Sequence, residues 1–347
     1  MAGEIRVDKV PAVAVPAPAA PSDPAPSTAG YLPWGSGVGG NPALVQTRYG
    51  TQGNFALAIP YATSGIHLLW RDNDDPALPW SERLPIGQNL GRVDALTFIQ
   101  SNFGPEGNLE IISRVGDTLQ FLWRDSAANF EWRGPYQIAG DAAGNPALIQ
   151  SRFGHQGNFE LVFPSNSGGI NFMWRNNDDP RLPWSAPFRF GQELGRVDAL
   201  TLIQSNFGSP GNLELIARVG DTLQFFWRDS GPNFEWRGPY QIAGDAAGNP
   251  ALIQSRFGHQ GNFELVFPSN SGGINFMWRN NDDPRLPWSA PFRFGQELGR
   301  VDALTLIQSN FGSPGNLELI ARVGDTLQFL WRDSGPNFNW NGPWRLI

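Results

Sequence analysis

Residues 93–144 read VDALTFIQSNFGPEGNLEIISRVGDTLQFLWRDSAANFEWRGPYQIAGDAAG, and this stretch decides the fold. It contains three short runs, ALTFIQ, NLEIIS and TLQFLWR, that are rich in β-branched, aromatic and aliphatic residues and bounded by Gly, Asn, Asp or Pro. Such runs are typical of β-strands. Gly116 and Asp117 favour a tight hairpin between the second and third runs, and a weaker fourth strand is predicted around 132–138. Four consecutive strands in about fifty residues indicate one blade of a β-propeller.

The same unit recurs along the chain. Asn-Pro-Ala-Leu occurs at residues 41, 145 and 249, which gives a repeat of 104 residues, and each repeat holds two related blades. A Gly-Asn pair opens the second strand six times, and a tryptophan ends the third strand six times. We therefore predict an all-β fold, a six-bladed β-propeller closed into a ring, because one blade cannot bury both of its faces alone. The predicted blades cover approximately residues 41–92, 93–144, 145–196, 197–248, 249–300 and 301–347.

The two blades of each repeat differ in their loops. Odd-numbered blades carry the loop RDNDDPALPW or RNNDDPRLPW after the third strand, whereas even-numbered blades carry a loop close to RDSGPNFEW. Residues 145–238 and 249–342 differ only at positions 226, 235 and 237 of the first copy. Such identity is explained by recent duplication, and a need for copies of one surface is the alternative.

Composition excludes several classes of protein. The 347 residues include 24 Phe, 14 Trp and no Cys, so a large aromatic core is available and disulfides are excluded. The net charge of −7 without a basic cluster argues against nucleic-acid binding. The chain lacks an apolar run near 18 residues, so membrane insertion is not expected. The opening MAGEIRVDKV lacks a secretory profile, and we expect cytoplasmic synthesis with non-classical export left open.

Residues 1–29 are predicted to form an extended Pro/Ala-rich N-terminal arm. Such an arm serves as a linker or tether, and docking onto a protein partner is the alternative. Residues 30–40 resemble a fragment of a fourth strand, as do residues 342–347 at the C-terminus. We therefore place residues 30–40 at the seam of the ring, where either end of the chain is a candidate for the outer edge of the last blade.

No catalytic or metal-binding group is expected. The three histidines, His67, His155 and His259, have no nucleophile or metal partner beside them in sequence. Asp94 and its counterparts at 198 and 302 are interpreted as strand-entry caps rather than as a glycosidase pair. The Asn/Asp-rich loops at 72–75, 177–179 and 281–283 suit turns, with calcium as the alternative. The prediction is a protein that is not an enzyme and has no cofactor.

Glutamate and arginine recur at fixed places in the blades. A glutamate follows the Gly-Asn pair in every blade except the first, which has Ala56, and an arginine follows each third-strand tryptophan. These rows form structural ion pairs, or they line pockets where guanidinium and carboxylate groups suit sugar hydroxyls. The pocket interpretation selects Arg124, Arg175, Arg228, Arg279, Glu110, Glu160, Glu214 and Glu264. On that interpretation the pocket relying on Ala56 is defective, whereas those of blades two to six bind.

The tryptophans form two rows. The third-strand row alternates with Leu or Phe and is interpreted as core between blades. The fourth-strand row follows a loop near the outer edge, where an aromatic face offers a platform for the C–H face of a sugar. The predicted ligand contacts of this second row are Trp80, Trp132, Trp184, Trp236, Trp288 and Trp340.

At these residues the sequence resembles the bacterial PLL-like β-propeller lectins. The resemblance rests on the repeated FGxxGNxE element, first at 103–110, and on the WRD/WRN…W…GP element after it, and it spans about residues 30–347. It implies binding of fucose-type or methylated glycans in shallow pockets between adjacent blades. The predicted function is therefore a multivalent lectin whose partners are glycans. A structural or adaptor propeller, tethered to a larger assembly through its arm, is the alternative.

Overall fold

The computed structural model describes residues 37–61, 63, 65–231 and 233–346. Within them the chain forms six four-stranded antiparallel meanders arranged in sequence order, which confirms the prediction of an all-β, six-bladed propeller. The predicted arm at 1–29, and residues 30–36 of the predicted seam, lie outside the described residues. Among the described residues, none of the helical segments has the length or apolarity needed to cross a membrane.

The odd-numbered blades share a short fourth strand of three residues, which a 3₁₀ turn follows (Gln88–Leu90, Gln192–Leu194 and Gln296–Leu298). Their strands are β1 Ala43–Gln46, β2 Phe55–Pro60, β3 Ile66–Arg71 and β4 Leu84–Ile86 in blade 1; β9 Ala147–Gln150, β10 Phe159–Pro164, β11 Ile170–Arg175 and β12 Phe188–Phe190 in blade 3; and β17 Ala251–Gln254, β18 Phe263–Pro268, β19 Ile274–Arg279 and β20 Phe292–Phe294 in blade 5.

The even-numbered blades have a longer fourth strand of six to nine residues. Their strands are β5 Ala95–Gln100, β6 Leu109–Val115, β7 Thr118–Asp125 and β8 Glu131–Ala139 in blade 2; β13 Ala199–Gln204, β14 Leu213–Val219, β15 Thr222–Arg228 and β16 Trp236–Ala243 in blade 4; and β21 Ala303–Gln308, β22 Leu317–Val323, β23 Thr326–Arg332 and β24 Trp340–Arg345 in blade 6.

The hydrophobic core lies between the blades. The second strand of blade 3 reads FELVFP and is buried at every position, because both faces of a blade are covered by its neighbours. Six apolar clusters result, and each joins residues of two adjacent blades; one of them packs Phe172 of blade 3 against Leu215 of blade 4. The aromatic and aliphatic runs of the sequence therefore hold the blades together in a ring.

The ring closes between blade 6 and blade 1. The backbone N–H of Asn310 donates to Gln46 Oε1 at 3.0 Å, and the equivalent bond from Asn206 to Gln254 inside the ring measures 2.9 Å. The C-terminal segment forms β24 of blade 6, while Val38 bridges Tyr61 of blade 1. The junction at the ends of the chain thus uses the same hydrogen bonds as an internal one.

Candidate functional site

The junctions between blades are of two kinds, which we call open clefts and filled junctions. Open clefts lie between an odd blade and the even blade after it, at 1/2, 3/4 and 5/6. Filled junctions lie between an even blade and the odd blade after it, at 2/3, 4/5 and 6/1. The cause is the fourth strand, because three residues in an odd blade cover much less of the third strand than the longer strand of an even blade does.

The third-strand tryptophans show the difference directly. In even blades Trp123 and Trp227 stack on Tyr136 and Tyr240, and Trp331 stacks on Trp344 with ring centroids 4.0 Å apart. In odd blades the corresponding rings are exposed: Trp70 by 47%, Trp174 by 42% and Trp278 by 41%. The interpretation of the whole third-strand row as core is therefore wrong for the odd blades, because their short fourth strand supplies no covering aromatic side chain.

The open cleft between blades 3 and 4 has a volume of about 460 Å³. Blade 3 contributes an exposed tryptophan, three phenylalanines, one amide and one carboxylate, and blade 4 contributes a guanidinium and two aromatic rings. The lining residues are Phe153, Asn158, Glu160, Phe172, Trp174, Phe188, Arg228, Phe234 and Trp236. The cleft thus combines apolar walls with a small number of polar groups, as ligand sites generally do.

A buried ion pair joins the two blades in this cleft. Arg228 Nη1 lies 3.8 Å from Glu160 Oε2, and Ser151 Oγ donates to Glu160 Oε1 at 3.0 Å. Burial raises the pKa of Glu160 to about 7, with Arg228 acting in the opposite direction. Burial also lowers the pKa of Arg228. Within the described protein, Arg228 Nη1 is buried and has no hydrogen-bond partner. The pair therefore retains donor and acceptor capacity for a polar ligand.

The open cleft between blades 5 and 6 repeats this arrangement. Arg332 Nη1 lies 3.7 Å from Glu264 Oε2, and Ser255 Oγ donates to Glu264 Oε1 at 3.0 Å. Arg332 was not among the residues selected from the sequence, nor were the exposed Trp174 and Trp278. The sequence did carry a signal for them, because the loops that separate odd from even blades follow these tryptophans directly.

The fourth-strand tryptophans lie half-buried in two different settings. Trp236 and Trp340 stack on Phe190 and Phe294 at 4.4 and 4.1 Å between ring centroids, and Trp236 lines its open cleft. Trp132 packs in the corresponding cluster between blades 1 and 2. Trp80, Trp184 and Trp288 instead pack against the cores of the filled junctions. The structure therefore places three of the six predicted residues at the junctions that carry open clefts, and of these three Trp236 lines its cleft.

In the filled junction between blades 2 and 3, Arg175 is 5% exposed and lies over the ring of Phe159 at 3.9 Å. Its Nε donates to Asn177 Oδ1 at 2.7 Å, and Asn177 Nδ2 donates to the carbonyl of Gly157 at 2.6 Å. Burial raises the pKa of Glu110 to about 7, with Arg175 acting in the opposite direction. Arg279 and Glu214 repeat the arrangement between blades 4 and 5. This geometry favours a structural role for these four predicted residues, in which each arginine acts on its glutamate through its charge without a direct contact.

The acidic loops make turns. Asp178 accepts the backbone N–H of His155 at 2.8 Å and that of Gln156 at 2.7 Å, and these bonds lower the pKa of its carboxyl. Asp94 accepts the N–H of Gly116 at 3.0 Å and fixes the neighbouring hairpin. His67 stacks on Tyr61 at 4.3 Å between ring centroids. In the part of the chain that the structure describes, no three His, Asp or Glu residues are grouped so as to hold a metal ion.

The open cleft between blades 1 and 2 has a different lining and a volume of about 300 Å³. Ala56 occupies the place of the glutamate, and Arg124 Nε donates to the carbonyl of Phe130 at 3.1 Å. Burial lowers the pKa of Arg124, with Tyr49 acting in the opposite direction. Trp70 is retained as the exposed ring. This first cleft therefore has the platform and the guanidinium without the carboxylate between them.

Neither the family models nor the curated proteins include a match to this chain, so the resemblance to the PLL-like lectins stays a prediction. Solved structures do match. The BP39L lectin from Burkholderia pseudomallei is similar with 19% identity, 89% of this chain and 85% of that chain covered, and a TM-score of 0.64. A fucose-specific lectin from Aleuria aurantia is similar with 15% identity, coverage of 87% and 93%, and a TM-score of 0.63. At these identities the likeness shows the fold, and the Aleuria protein is likewise described as six-bladed.

Proposed function

We propose that this protein is a multivalent carbohydrate-binding propeller that holds neutral, fucose-type or methylated sugars in its open clefts at 3/4 and 5/6. One observation carries the proposal: an exposed tryptophan lies beside a buried Glu–Arg pair in a concave cleft of about 460 Å³. The likeness to solved lectins supports it, since one of them is fucose-specific.

The cleft offers each chemical group that a sugar ring needs. The face of Trp174 stacks on the C–H face of the ring, and the phenylalanine walls accept a methyl group. The guanidinium of Arg228, which lines the cleft, donates to a sugar oxygen, while the carboxylate of Glu160 accepts from a hydroxyl. Because both groups are already largely desolvated, hydrogen bonds to them are stronger than the same bonds in water.

Binding suits this cleft better than hydrolysis. Glycosidases generally use two carboxyl groups on either side of the scissile bond. Among the described residues that line the cleft at 3/4, Glu160 is the single acid, and Arg228 faces it. Two nearly identical clefts on one rigid ring would gain avidity on a glycan-coated surface without any new contact. The adaptor alternative depends on residues 1–29, outside the described residues, and stays a prediction.

The test is a glycan array on the full chain, followed by calorimetry with each sugar that binds. We expect two equivalent sites per chain for a neutral sugar. The double variant Trp174→Ala/Trp278→Ala should weaken binding at least tenfold, because it removes the stacking face from both clefts. Trp174→Phe/Trp278→Phe is the matched control, since it keeps an aromatic face in both clefts and should retain most of the binding. A blank array, or equal loss in both variants, would contradict the proposal.

A further inference from the structure

The lining of the first open cleft, between blades 1 and 2, differs from that of the cleft between blades 3 and 4. Tyr49, Ala56, Leu68 and Leu84 stand where the cleft at 3/4 has Phe153, Glu160, Phe172 and Phe188, whereas Trp70 and Asn54 match Trp174 and Asn158. The aromatic platform and the amide are therefore kept. The changed positions are the carboxylate, the walls and position 106, where an exposed glutamate stands in place of Pro210, so the first cleft presents the same stacking face with different polar chemistry.

The main consequence is a guanidinium without a carboxylate partner inside the cleft. In the described ion pairs, Arg228 and Arg332 each face a glutamate of the preceding blade, and Arg124 takes part in none. Ala56 ends at its Cβ and has no group that could accept a hydrogen bond from Arg124. Glu106 also lines the cleft, but it is exposed to water. A half-buried cation in this setting favours an anion that reaches it from the ligand side.

We propose that the first cleft binds a sugar acid, a monosaccharide that carries a carboxylate, such as a uronic or sialic acid. The carboxylate of the ligand takes the role that Glu160 and Glu264 play in the other clefts and pairs with Arg124. The sugar ring stacks on Trp70, so the inference rests on the proposed function in this one respect. The smaller volume, about 300 Å³, is suited to a single ring.

The neighbouring side chains support an acidic rather than a neutral ligand. Tyr49 donates its hydroxyl to the carbonyl of Gly107 at 2.6 Å, so the hydroxyl that blade 1 adds is already used as a donor within the protein. A neutral sugar would find Arg124 as a donor but no buried carboxylate to accept its hydroxyl protons. A carboxylate accepts two parallel N–H bonds from one guanidinium, which fixes the orientation of the ligand as well as its charge.

The experiment uses calorimetry on the full chain with a matched pair of probes, methyl β-glucuronide and methyl β-glucoside, and with the methyl glycoside of N-acetylneuraminic acid. We expect one site per chain for at least one acid and no binding of the glucoside at that site. Ala56→Glu should weaken the acid at least tenfold, because it restores the internal partner of Arg124. Glu160→Ala should create a second acid site, since it gives the cleft at 3/4 the polar chemistry of the first.

The outcomes separate this inference from the proposed function. No binding of either acid, or acid binding that Ala56→Glu leaves unchanged, overturns the inference even if neutral sugars bind at 3/4 and 5/6. Acid binding that is lost in Trp70→Ala and in Ala56→Glu supports it even if the neutral sugars fail. Acetate that binds as tightly as the sugar acids, with no effect of Trp70→Ala, overturns it as well, because a bare carboxylate would then be the ligand.

Discussion

At the junction between blades 3 and 4 an exposed tryptophan lies beside a Glu–Arg pair, whereas between blades 2 and 3 the corresponding arginine is sealed under aromatic rings. The residue types are the same on both sides of the comparison. The difference comes from the covering strand, since Tyr136 lies on Trp123 and Trp174 has no such cover. The same residue types are therefore enclosed at one junction and line a cleft at the other.

The two tryptophan environments of one repeat should differ most in stability. Trp331 is 6% exposed and stacks on Trp344, so Trp331→Ala should lower the free energy of unfolding by about 3–5 kcal/mol. Trp278→Ala should cost less, about 1 kcal/mol, because 41% of its surface is already exposed to water. Chemical denaturation of the two variants measures both values. Equal costs would mean that the covering strand is not the cause of the difference.

The arginines provide the second test of the difference between sealed and open pairs. Arg175→Ala leaves Glu110 buried without its cation and should lower the free energy of unfolding by about 3–5 kcal/mol. Arg228→Ala should cost roughly half as much, because removal of this side chain from an open cleft lets water reach Glu160. Denaturation midpoints at constant pH give the comparison. A larger loss for Arg228→Ala would contradict the structural assignment of the sealed pair.

Stability should also depend on pH through these pairs. Burial raises the pKa of Glu110 and Glu160 to about 7 from an ordinary value of 4.5. Between these values the folded chain holds protons that the unfolded chain has released, so the free energy of unfolding falls as the pH rises. The expected loss is about 1–2 kcal/mol per glutamate between pH 5 and pH 7.

Glutamine variants test which glutamates cause this pH dependence of stability. The double variant Glu110→Gln/Glu214→Gln should flatten the decrease in stability between pH 5 and pH 7, because a neutral amide does not titrate. Glu160→Gln/Glu264→Gln should flatten it by a similar amount, because burial raises the pKa of these two glutamates to about 7 as well. Denaturation curves at pH 5, 6 and 7 measure the slopes. An unchanged slope in the first variant would show that the sealed glutamates do not titrate in this range.

The smallest change in the free energy of unfolding is expected for substitutions at the seam of the ring, between blade 6 and blade 1. Asn310 makes the closing hydrogen bonds to blade 1, and Asn206 makes the same bonds inside the ring. Either residue changed to Ala should lower the free energy of unfolding by about 0.5–1.5 kcal/mol, because each substitution removes the equivalent side-chain hydrogen bonds and keeps the backbone one. A much larger loss for Asn310→Ala in denaturation curves would show that the seam is the weak junction of the ring.

Sequence reasoning predicted the fold well and the site in part. The periodic Gly-Asn and tryptophan marks predicted six blades, because strand composition and turn chemistry are local properties. The Glu and Arg rows were recognised, but their pairing was not, since Glu160 meets Arg228 only after two blades pack side by side. The different loops of odd and even blades marked Trp174 as distinct, but its exposure depends on how much of the third strand the neighbouring fourth strand covers, which becomes visible only in the folded blade.

Each open cleft lies wholly within one repeat of 104 residues, at 1/2, 3/4 or 5/6, and each filled junction lies between repeats. The repeated unit of this protein thus contains a complete open cleft together with the surfaces that pack against the next copy. Duplication of one such repeat adds both blades of an open cleft at once. Duplication of a single blade would instead place two blades of the same type side by side. The first repeat shows that a cleft can change independently of the rest of the ring, because its cleft lining differs from that of the second repeat while its outer surfaces still pack against the neighbouring blades.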